Sequence, residues 1–366
     1  MKGSRLFRRA LVLGGVVTTS TAMIALGVTP TVGASTAGTA ARGPGYPPPG
    51  GIYGSFTNCP LNNPVMHEVM PITESGGGFA ACVAGIAVTG TVTLGTLTTN
   101  VVLPVNVQFG YRIPPESPNF FPAPVTAPLA GQSAILSTGP DLIPDSLTTA
   151  LGCSTATDPT IVNLCNEATS GPGVDNEVYA LAQEAGPITN FGIFNWTQAI
   201  KFQLINPLLG TSCYVGSNDS PVLINPNLTV GPGGSVFIEY DPHPKAHPDT
   251  LVLGISGAIA SDTTFSAPGV QGCGAGLSGV QRAVVDGALD TGAGLPAASG
   301  TNSLTLDGSF LIAACTASED SALTQPVDDA NILLSAFRAS SNQGPRSSVD
   351  HHITMAQAKA LLSPGG

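Results

Sequence analysis

The strongest constraint on the fold is a two-residue alternation of apolar and polar side chains along residues 86–111. Before Gly95, the apolar residues assigned to one strand face are Ile86, Val88, Val92 and Leu94. After Gly95 the phase flips, and the apolar face is made by Leu97, Val101, Leu103, Val105, Val107, Phe109 and Tyr111. This period indicates strands with one buried and one solvated face. The flip predicts a turn or bulge at Gly95, and Pro104 indicates an edge position or a bulge.

The same alternation recurs in later segments that are separated by turn residues. It occurs in residues 200–204, 236–240, 251–255 and 304–312, and the plainest turn is Gly231-Pro232-Gly233-Gly234. One interior helix is predicted between Ser278 and Asp290, where apolar residues recur with helical spacing. Many short strands with Gly and Pro turns predict an all-β fold. We expect an antiparallel sandwich or barrel-like core with one short helix.

Residues 1–34 have the three-part pattern of a secretory signal peptide. The basic start is made by Lys2, Arg5, Arg8 and Arg9. An apolar run follows at residues 10–28, and Val32-Gly33-Ala34 supplies the small residues that signal peptidase requires. Cleavage is expected after Ala34, with Ala40 and Ala41 as alternatives, and Sec and twin-arginine export both stay open. A membrane anchor is the competing interpretation, which the four hydroxyl residues at 18–21 disfavour.

The rest of the chain divides by composition into three parts. Residues 35–57 contain few large apolar side chains and are predicted to be a flexible, Gly- and Pro-rich lead-in. Residues 58–315 carry the strand patterns and form the predicted secreted β domain. Residues 316–366 are predicted to be a loosely attached, partly helical tail, with helices near 328–337 and 354–362.

The charge balance excludes one class of partner. The chain has 12 Lys and Arg against 23 Asp and Glu, a net charge of −11, and the predicted signal peptide holds four of those basic residues. Such an acidic chain lacks the basic surface that nucleic-acid binding requires. Since 42% of the residues are hydrophobic, bulk disorder is also disfavoured. No second apolar run of membrane length occurs, so no membrane span is predicted in the mature chain.

Seven cysteines occur in a chain that is predicted to be exported, and none belongs to a CxxC motif. Export makes disulfides the expected state, and zinc-ribbon and thioredoxin sites lack their spacing. Short loops favour the pairs Cys59–Cys82 and Cys153–Cys165, and Cys213–Cys273 is the favoured third pair, although spacing alone leaves the connectivity open. Cys315 lies in the apolar run 311–315 and is predicted to be a buried thiol rather than a nucleophile.

The best candidate for a metal site is the segment 241–249, DPHPKAHPD. His243 and His247 are four residues apart, but the prolines between and after them prevent the helix of an HExxH site. In a loop, these two imidazoles could still converge with Asp241 and Asp249 on zinc or calcium. The competing interpretation is a solvated, Pro-rich connector between two strands.

Other motifs do not predict a cofactor or a catalytic centre. The glycine-rich runs at 76–78 and 231–234 lack the lysine and the following helix of a phosphate-binding loop. Residues 254–257 and 276–279 each match only the first half of GxSxG. The aromatic group of Phe191, Phe194 and Trp196 is predicted to be core rather than a carbohydrate platform.

Several stretches of the chain resemble exported actinobacterial proteins of unknown function. The matching segments are residues 58–60 (NCP), 201–210 (KFQLINPLLG), 213–217 (CYVGS), 265–269 (FSAPG), 272–274 (GCG) and 293–300 (AGLPAASG). Those proteins carry NPLLG..CYIGS and GCGG…AGLPSAAG segments. The resemblance implies secretion and structural roles for Cys59, Cys82, Cys213 and Cys273, and it implies no catalytic residues. This chain departs from the pattern at Cys153 and Cys165, in the HPKAHPD loop and in its longer tail.

These observations predict a secreted, disulfide-stabilised, non-catalytic protein that binds an extracellular or cell-envelope partner or serves as a structural component. A secreted hydrolase, assisted by a metal at Asp241, His243, His247 and Asp249, is the alternative. A lipid-facing β protein is a third hypothesis, which the polar strand face at Thr89, Thr91 and Thr93 disfavours.

Overall fold

The structure is a computed structural model that describes residues 49–61, 63, 66, 79–113, 135–170, 176–192, 194–241, 250–315, 329–343 and 351–361. All of these residues belong to the unit Ser35–Gly366. The predicted signal peptide lies outside the described residues.

The described residues form strands and helices with the following bounds. The strands are β1 Phe79–Leu94, β2 Leu97–Val101, β3 Val105–Ile113, β4 Ile135–Ser137, β5 Asp141–Ile143, β6 Val178–Glu184, β7 Thr189–Gly192, β8 Asn195–Ile205, β9 Tyr214–Val215, β10 Val222–Ile224, β11 Asn227–Tyr240, β12 Thr250–Asp262, β13 Val270–Gln271, β14 Ser303–Cys315 and β15 His351–Ile353. The helices are a 3-10 helix Gly51–Tyr53 and α1 Leu147–Ala150, α2 Pro159–Ser170, α3 Gly279–Ala293, α4 Asp329–Ser340 and α5 Met355–Leu361.

The main sheet is built around the long strands β1, β14, β12 and β11. Strand β14 pairs with β1 on one side and β12 on the other, and β11 continues the sheet beyond β12. The other edge of β1 pairs with β2 and β3 in succession, and β4 pairs with β3. Each of these pairings is antiparallel. The turn predicted at Gly95 joins β1 to β2, where Gly95 has a left-handed φ of 59° that suits glycine.

A second sheet lies against the main one and shares strand β8 with it. Strand β8 pairs with β6 on one edge and with β10 and β9 on the other, while β5 and β13 extend the sheet. The start of β8 reaches the main sheet through Asn195, which pairs with Asn227 of β11. The fold is therefore an open antiparallel sandwich, which confirms the predicted all-β class.

Two bulges change the faces that simple alternation assigns. Ala87 of β1 pairs with Gly308 of β14, and Thr89 pairs with the next residue, Asp307. Val88 is therefore the extra residue, and its side chain is 50% exposed. On β12, Gly257 is the extra residue opposite the same glycine. The prediction that Ile86, Val88, Val92 and Leu94 share one face was therefore wrong, because a bulge shifts the side-chain phase by one residue.

Helix α3 confirms the predicted interior helix and its start at Ser278. The Ser278 side chain and that of Gln281 form a capping box, and Gly294 ends the helix with a φ of 64°. Helix α2 was not predicted. Its buried residues share one face: Ile161, Leu164, Cys165 and Ala168. Their spacing of three and four residues is typical of one face of a helix.

The predicted lead-in and tail both contribute to the core. Tyr53 and Phe56 are fully buried, as are Leu333 and Phe337 of α4, and the Tyr53 and Phe337 ring centroids are 4.9 Å apart. These residues cover the outer face of the main sheet. In their described parts, residues 49–57 and α4 thus both contribute buried side chains, while the division into lead-in, β domain and tail stays a prediction. Large aromatic side chains bury enough apolar surface to anchor short segments.

Three disulfides staple the fold in the predicted pairs. They join Cys59 to Cys82, Cys153 to Cys165 and Cys213 to Cys273, with Cα–Cα distances of 5.8, 5.7 and 4.2 Å. The first joins the segment before β1 to β1 itself, and the third joins the residue before β9 to the second residue after β13. Cys315 is buried at the end of β14, as predicted.

Gly308 is expected to be intolerant of substitution because a Cβ there would contact the Ile86 carbonyl oxygen and the Ala87 backbone. Gly308→Ala should lower the free energy of unfolding by about 2 kcal/mol or more. The matched control is Gly287→Ala in α3, where a Cβ meets nothing within 4 Å. It should raise the free energy of unfolding by about 0.5–1 kcal/mol, since alanine favours helix interiors. Chemical denaturation measures both, and equal stability of the two variants would contradict the role of Gly308.

Candidate functional site

A cavity of about 120 Å³ lies between the main sheet and the second sheet. Its main-sheet wall includes Val92 of β1 and Leu306 of β14, and its opposite wall includes Ala180 and Ala182 of β6. These four side chains are half-buried, as expected of side chains that border a cavity. Residues of two apolar clusters line the cavity: Ile200 and Phe202 belong to one, and Trp196 belongs to the other, which also contains Phe310.

Strand β8 supplies one wall of the cavity through alternate residues. The side chains that line the cavity from this strand are Trp196, Gln198, Ile200, Phe202 and Leu204. They share one face because a strand directs every second side chain to the same side. The intervening Thr197 donates to Asn225 Oδ1 at 2.6 Å and accepts from Asn190 Nδ2, so polar pairing occupies the opposite face at this point.

Trp196 is held in place by aromatic neighbours. Its ring stacks on Phe310 at a centroid distance of 5.7 Å and an interplanar angle of 15°, and it packs obliquely against Phe109 at 6.4 Å. The side chain is buried. Its Nε1 has no hydrogen-bond acceptor among the described residues. Buried indole N–H groups usually find a partner, so a buried Nε1 without one is unusual.

Gln198 is the most deeply buried polar side chain of the wall, with 1% of its surface exposed. Its Nε2 donates to the Ala199 carbonyl oxygen in a long hydrogen bond of 3.5 Å, which orients the amide. Its Oε1 has no donor within the described part of the chain. A buried carbonyl oxygen without a donor costs about 1–3 kcal/mol of stability.

Asp141 is the charged residue of the wall and has a structural task. It lies on β5, is buried, and its Oδ1 accepts the backbone N–H groups of Val102 and Leu103 at 2.9 and 3.1 Å. These bonds hold the break between β2 and β3, where Pro104 lies. The predicted irregularity at Pro104 is therefore the end of one strand pairing and the start of the next. No lysine, arginine or histidine lines the cavity among the described residues.

The predicted metal ligands are only in part described. His243, His247 and Asp249 lie outside the described residues. Asp241 is buried, and the Tyr53 hydroxyl donates to its Oδ2 at 3.0 Å. The described residues contain no group of three or more His, Cys, Asp or Glu that could hold a metal ion. The metal-assisted hydrolase therefore stays a prediction.

Two carboxylates of α3 bind backbone rather than forming a catalytic pair. Asp286 accepts from the N–H groups of Gly272 and Cys273 at 3.0 and 2.9 Å, and Asp290 accepts from Val270 N at 2.6 Å. The pKa of Asp290 is raised above its ordinary value, chiefly by partial burial. The Val270 N–H offsets part of this rise, and the nearby Asp286 adds to it. The two side chains fasten β13 and its disulfide to the helix.

Sequence reasoning placed Trp196 correctly in the core but missed the cavity and Gln198. Phe194 and Trp196 are buried, while the side chain of Phe191 lies outside what the structure describes. The signal in the sequence was Gln198 itself. It is the one polar residue in a series of alternate positions that is otherwise Trp196, Ile200, Phe202 and Leu204. Alternation was recognised only from Ile200 onward.

Comparison with protein-family models, with curated proteins and with solved structures finds no match to this chain. Within the described ranges, no helix is both long enough and apolar enough to cross a bilayer.

Replacement of Gln198 by leucine should stabilise the protein by about 1–2 kcal/mol, because it removes a buried carbonyl oxygen that has no donor. The control is Gln203→Leu on the same strand. Gln203 accepts from Gln183 Nε2 at 2.8 Å and donates to the Thr211 carbonyl oxygen at 2.9 Å, so its loss should cost about 1 kcal/mol. Equilibrium denaturation compares the variants. Destabilisation by Gln198→Leu as large as that by Gln203→Leu would contradict this account.

The protein should lose stability as the pH rises above 10. Burial raises the pKa of the Tyr53 and Tyr111 hydroxyls above their ordinary value of 10.0, and Asp241 adds to the effect at Tyr53. The unfolded chain then releases protons that the folded chain retains, so the free energy of unfolding falls by about 1.4 kcal/mol per pH unit for each tyrosine. Tyr53→Phe should reduce this slope by one tyrosine's share. Denaturation at several alkaline pH values measures the slope. Equal slopes in the wild-type protein and in Tyr53→Phe would contradict this account.

Proposed function

We propose that this chain is a secreted, disulfide-stabilised, non-catalytic binding protein that holds a small apolar ligand between its two sheets. The observation that carries the proposal is the cavity of about 120 Å³, whose wall is mostly apolar and includes Trp196, Gln198 and Phe202. Ligand sites are typically apolar concavities with a few placed polar groups.

Action outside the cytoplasm is supported by the covalent chemistry of the chain. Three disulfides form and persist in oxidising compartments. The basic and apolar pattern of residues 1–34, and the resemblance to exported actinobacterial proteins, support export to the cell surface or the medium. The route of export and the identity of an envelope partner stay open in this proposal.

Binding is favoured over catalysis by the composition of the cavity wall. Its hydroxyl groups include Ser137, which donates to the Gly139 carbonyl oxygen at 2.7 Å. Its carboxylate, Asp141, is engaged by two backbone N–H groups. A nucleophile in catalysis needs a base within hydrogen-bond reach, and the described residues of the wall include no histidine for that task.

The size of the cavity sets the size of the ligand. An engineered cavity of about 150 Å³ with apolar walls binds benzene. The cavity between the sheets, at about 120 Å³, is of that order. Apolar contacts with both sheets supply the affinity.

Benzene should bind the protein and raise its thermal midpoint by about 2–4 °C at about ten times the dissociation constant. Ala182→Leu, which adds side-chain volume at the cavity wall, should abolish the shift. The control is Ala283→Leu on the exposed face of α3, which should leave the shift unchanged. Thermal unfolding with and without benzene provides the measurement. The absence of a shift in the wild-type protein, or its persistence in Ala182→Leu, would count against the proposed site.

A further inference from the structure

A surface groove of about 240 Å³ lies between α2, the start of α3 and the turn that follows β8. It shares no described lining residue with the cavity between the sheets. Helix α2 contributes Thr160, Asn163, Leu164 and Glu167, which lie on one helix face because they are spaced by three and four residues. A cavity of about 150 Å³ holds a benzene ring, so the groove has room for a six-membered ring with polar substituents.

The walls of the groove are fastened to the rest of the fold. The disulfides of Cys165 and Cys273 hold α2 and the loop that follows β13. In that loop, the Ala275 N–H donates to the Leu208 carbonyl oxygen at 2.9 Å, which joins two walls of the groove. A ligand therefore enters a preformed site and does not have to order a loop.

Three polar side chains of the groove are within reach of a ligand, because Asn163, Glu167 and Gln281 are all exposed. Among the described residues, no side chain pairs with the Asn163 amide or the Glu167 carboxylate. Gln281 Oε1 accepts from the backbone N–H and the hydroxyl of Ser278. Its Nε2 is a donor that these bonds do not use.

The charges of the groove favour a neutral ligand. No lysine, arginine or histidine is among its described lining residues. An anion would therefore face Glu167 without a compensating cation. A cation would gain a single ion pair with an exposed carboxylate, which contributes little in water. Hydroxyl groups suit the site better, because they can donate to the carboxylate and also accept from the two amides.

The groove also has an apolar side, formed by Leu208 and Leu277 together with Pro207. A suitable ligand thus combines an apolar face with a rim of hydroxyl groups. A pyranose ring has this character, since its C–H groups cover its faces and its hydroxyl groups lie at its edge.

We infer that this groove binds a neutral sugar ring, as a free monosaccharide or as the end of a glycan. The Glu167 carboxylate accepts from hydroxyl groups of the ring, the Asn163 and Gln281 amides bind the others, and one ring face packs against Leu208 and Leu277. The site is separate from the apolar cavity, and the inference goes beyond the proposed function.

Titration of the purified protein with methyl glycosides of glucose, galactose, mannose and N-acetylglucosamine tests the inference. At least one glycoside should bind saturably at millimolar concentrations and shift the amide signals of α2 and residues 275–281 in nuclear magnetic resonance spectra. Asn163→Ala should weaken this binding about fivefold, because it removes a hydrogen-bonding group. The matched control is Asn166→Ala, which changes an exposed asparagine of α2 outside the groove and should leave the binding unchanged.

The sugar site is wrong if no glycoside shifts these signals, or if Asn166→Ala weakens binding as much as Asn163→Ala. Tighter binding of the methyl glycoside of glucosamine or of glucuronate than of every neutral glycoside would overturn the neutral-ligand assignment. A trisaccharide of the tightest-binding sugar separates the two sources of the ring: equal or tighter binding supports a glycan end, and weaker binding supports a free sugar. Benzene binding between the sheets is measured independently, so failure of this site is distinguishable from failure of the proposed function.

Discussion

The pairing of β14 with its two neighbours is the constraint on which the rest of the structure depends. Both neighbours carry an extra residue at the same level, Val88 in β1 and Gly257 in β12, and both bulges face Gly308. Only a residue without a Cβ fits there, because the Ile86 carbonyl oxygen approaches the Gly308 backbone closely. Past the two bulges, the inward-facing side chains of β1 and β12 switch from odd-numbered to even-numbered positions. Those of β14 stay at even-numbered positions.

The two sides of Gly308 have different roles in the sandwich. On one side, Phe310 and Ile312 are buried, and Phe310 stacks on Trp196. On the other side, Leu306 borders the cavity. The packed side fixes the orientation of the Trp196 ring through its contacts with Phe310 and Phe109. Gln198 follows two residues later on the same strand, and its buried Oε1 has no donor among the described residues, which costs stability.

The strand alternation and the cysteine spacing made much of the fold predictable. Alternation indicated the strands around Gly95 and along residues 251–255, since one face of an antiparallel strand is buried and the other is not. Short loops favoured two of the disulfides. The bulge at Val88 was not predictable in the same way, because it depends on Gly308, more than two hundred residues away. The burial of Tyr53 and Phe337 was missed for a related reason: both belong to a cluster with the main sheet that joins segments far apart in the chain.

By itself, the sequence determined the class of fold and the positions of many strands, and it favoured the two short-loop disulfides, because these follow from the local period and from short loops. Only the tertiary structure decided where the two sheets leave a cavity and which residues line it. From the local sequence alone, Trp196 and Gln198 are two members of a buried strand. Their significance arises from the absence of hydrogen-bond partners in the described residues around them, and that is a property of non-local packing.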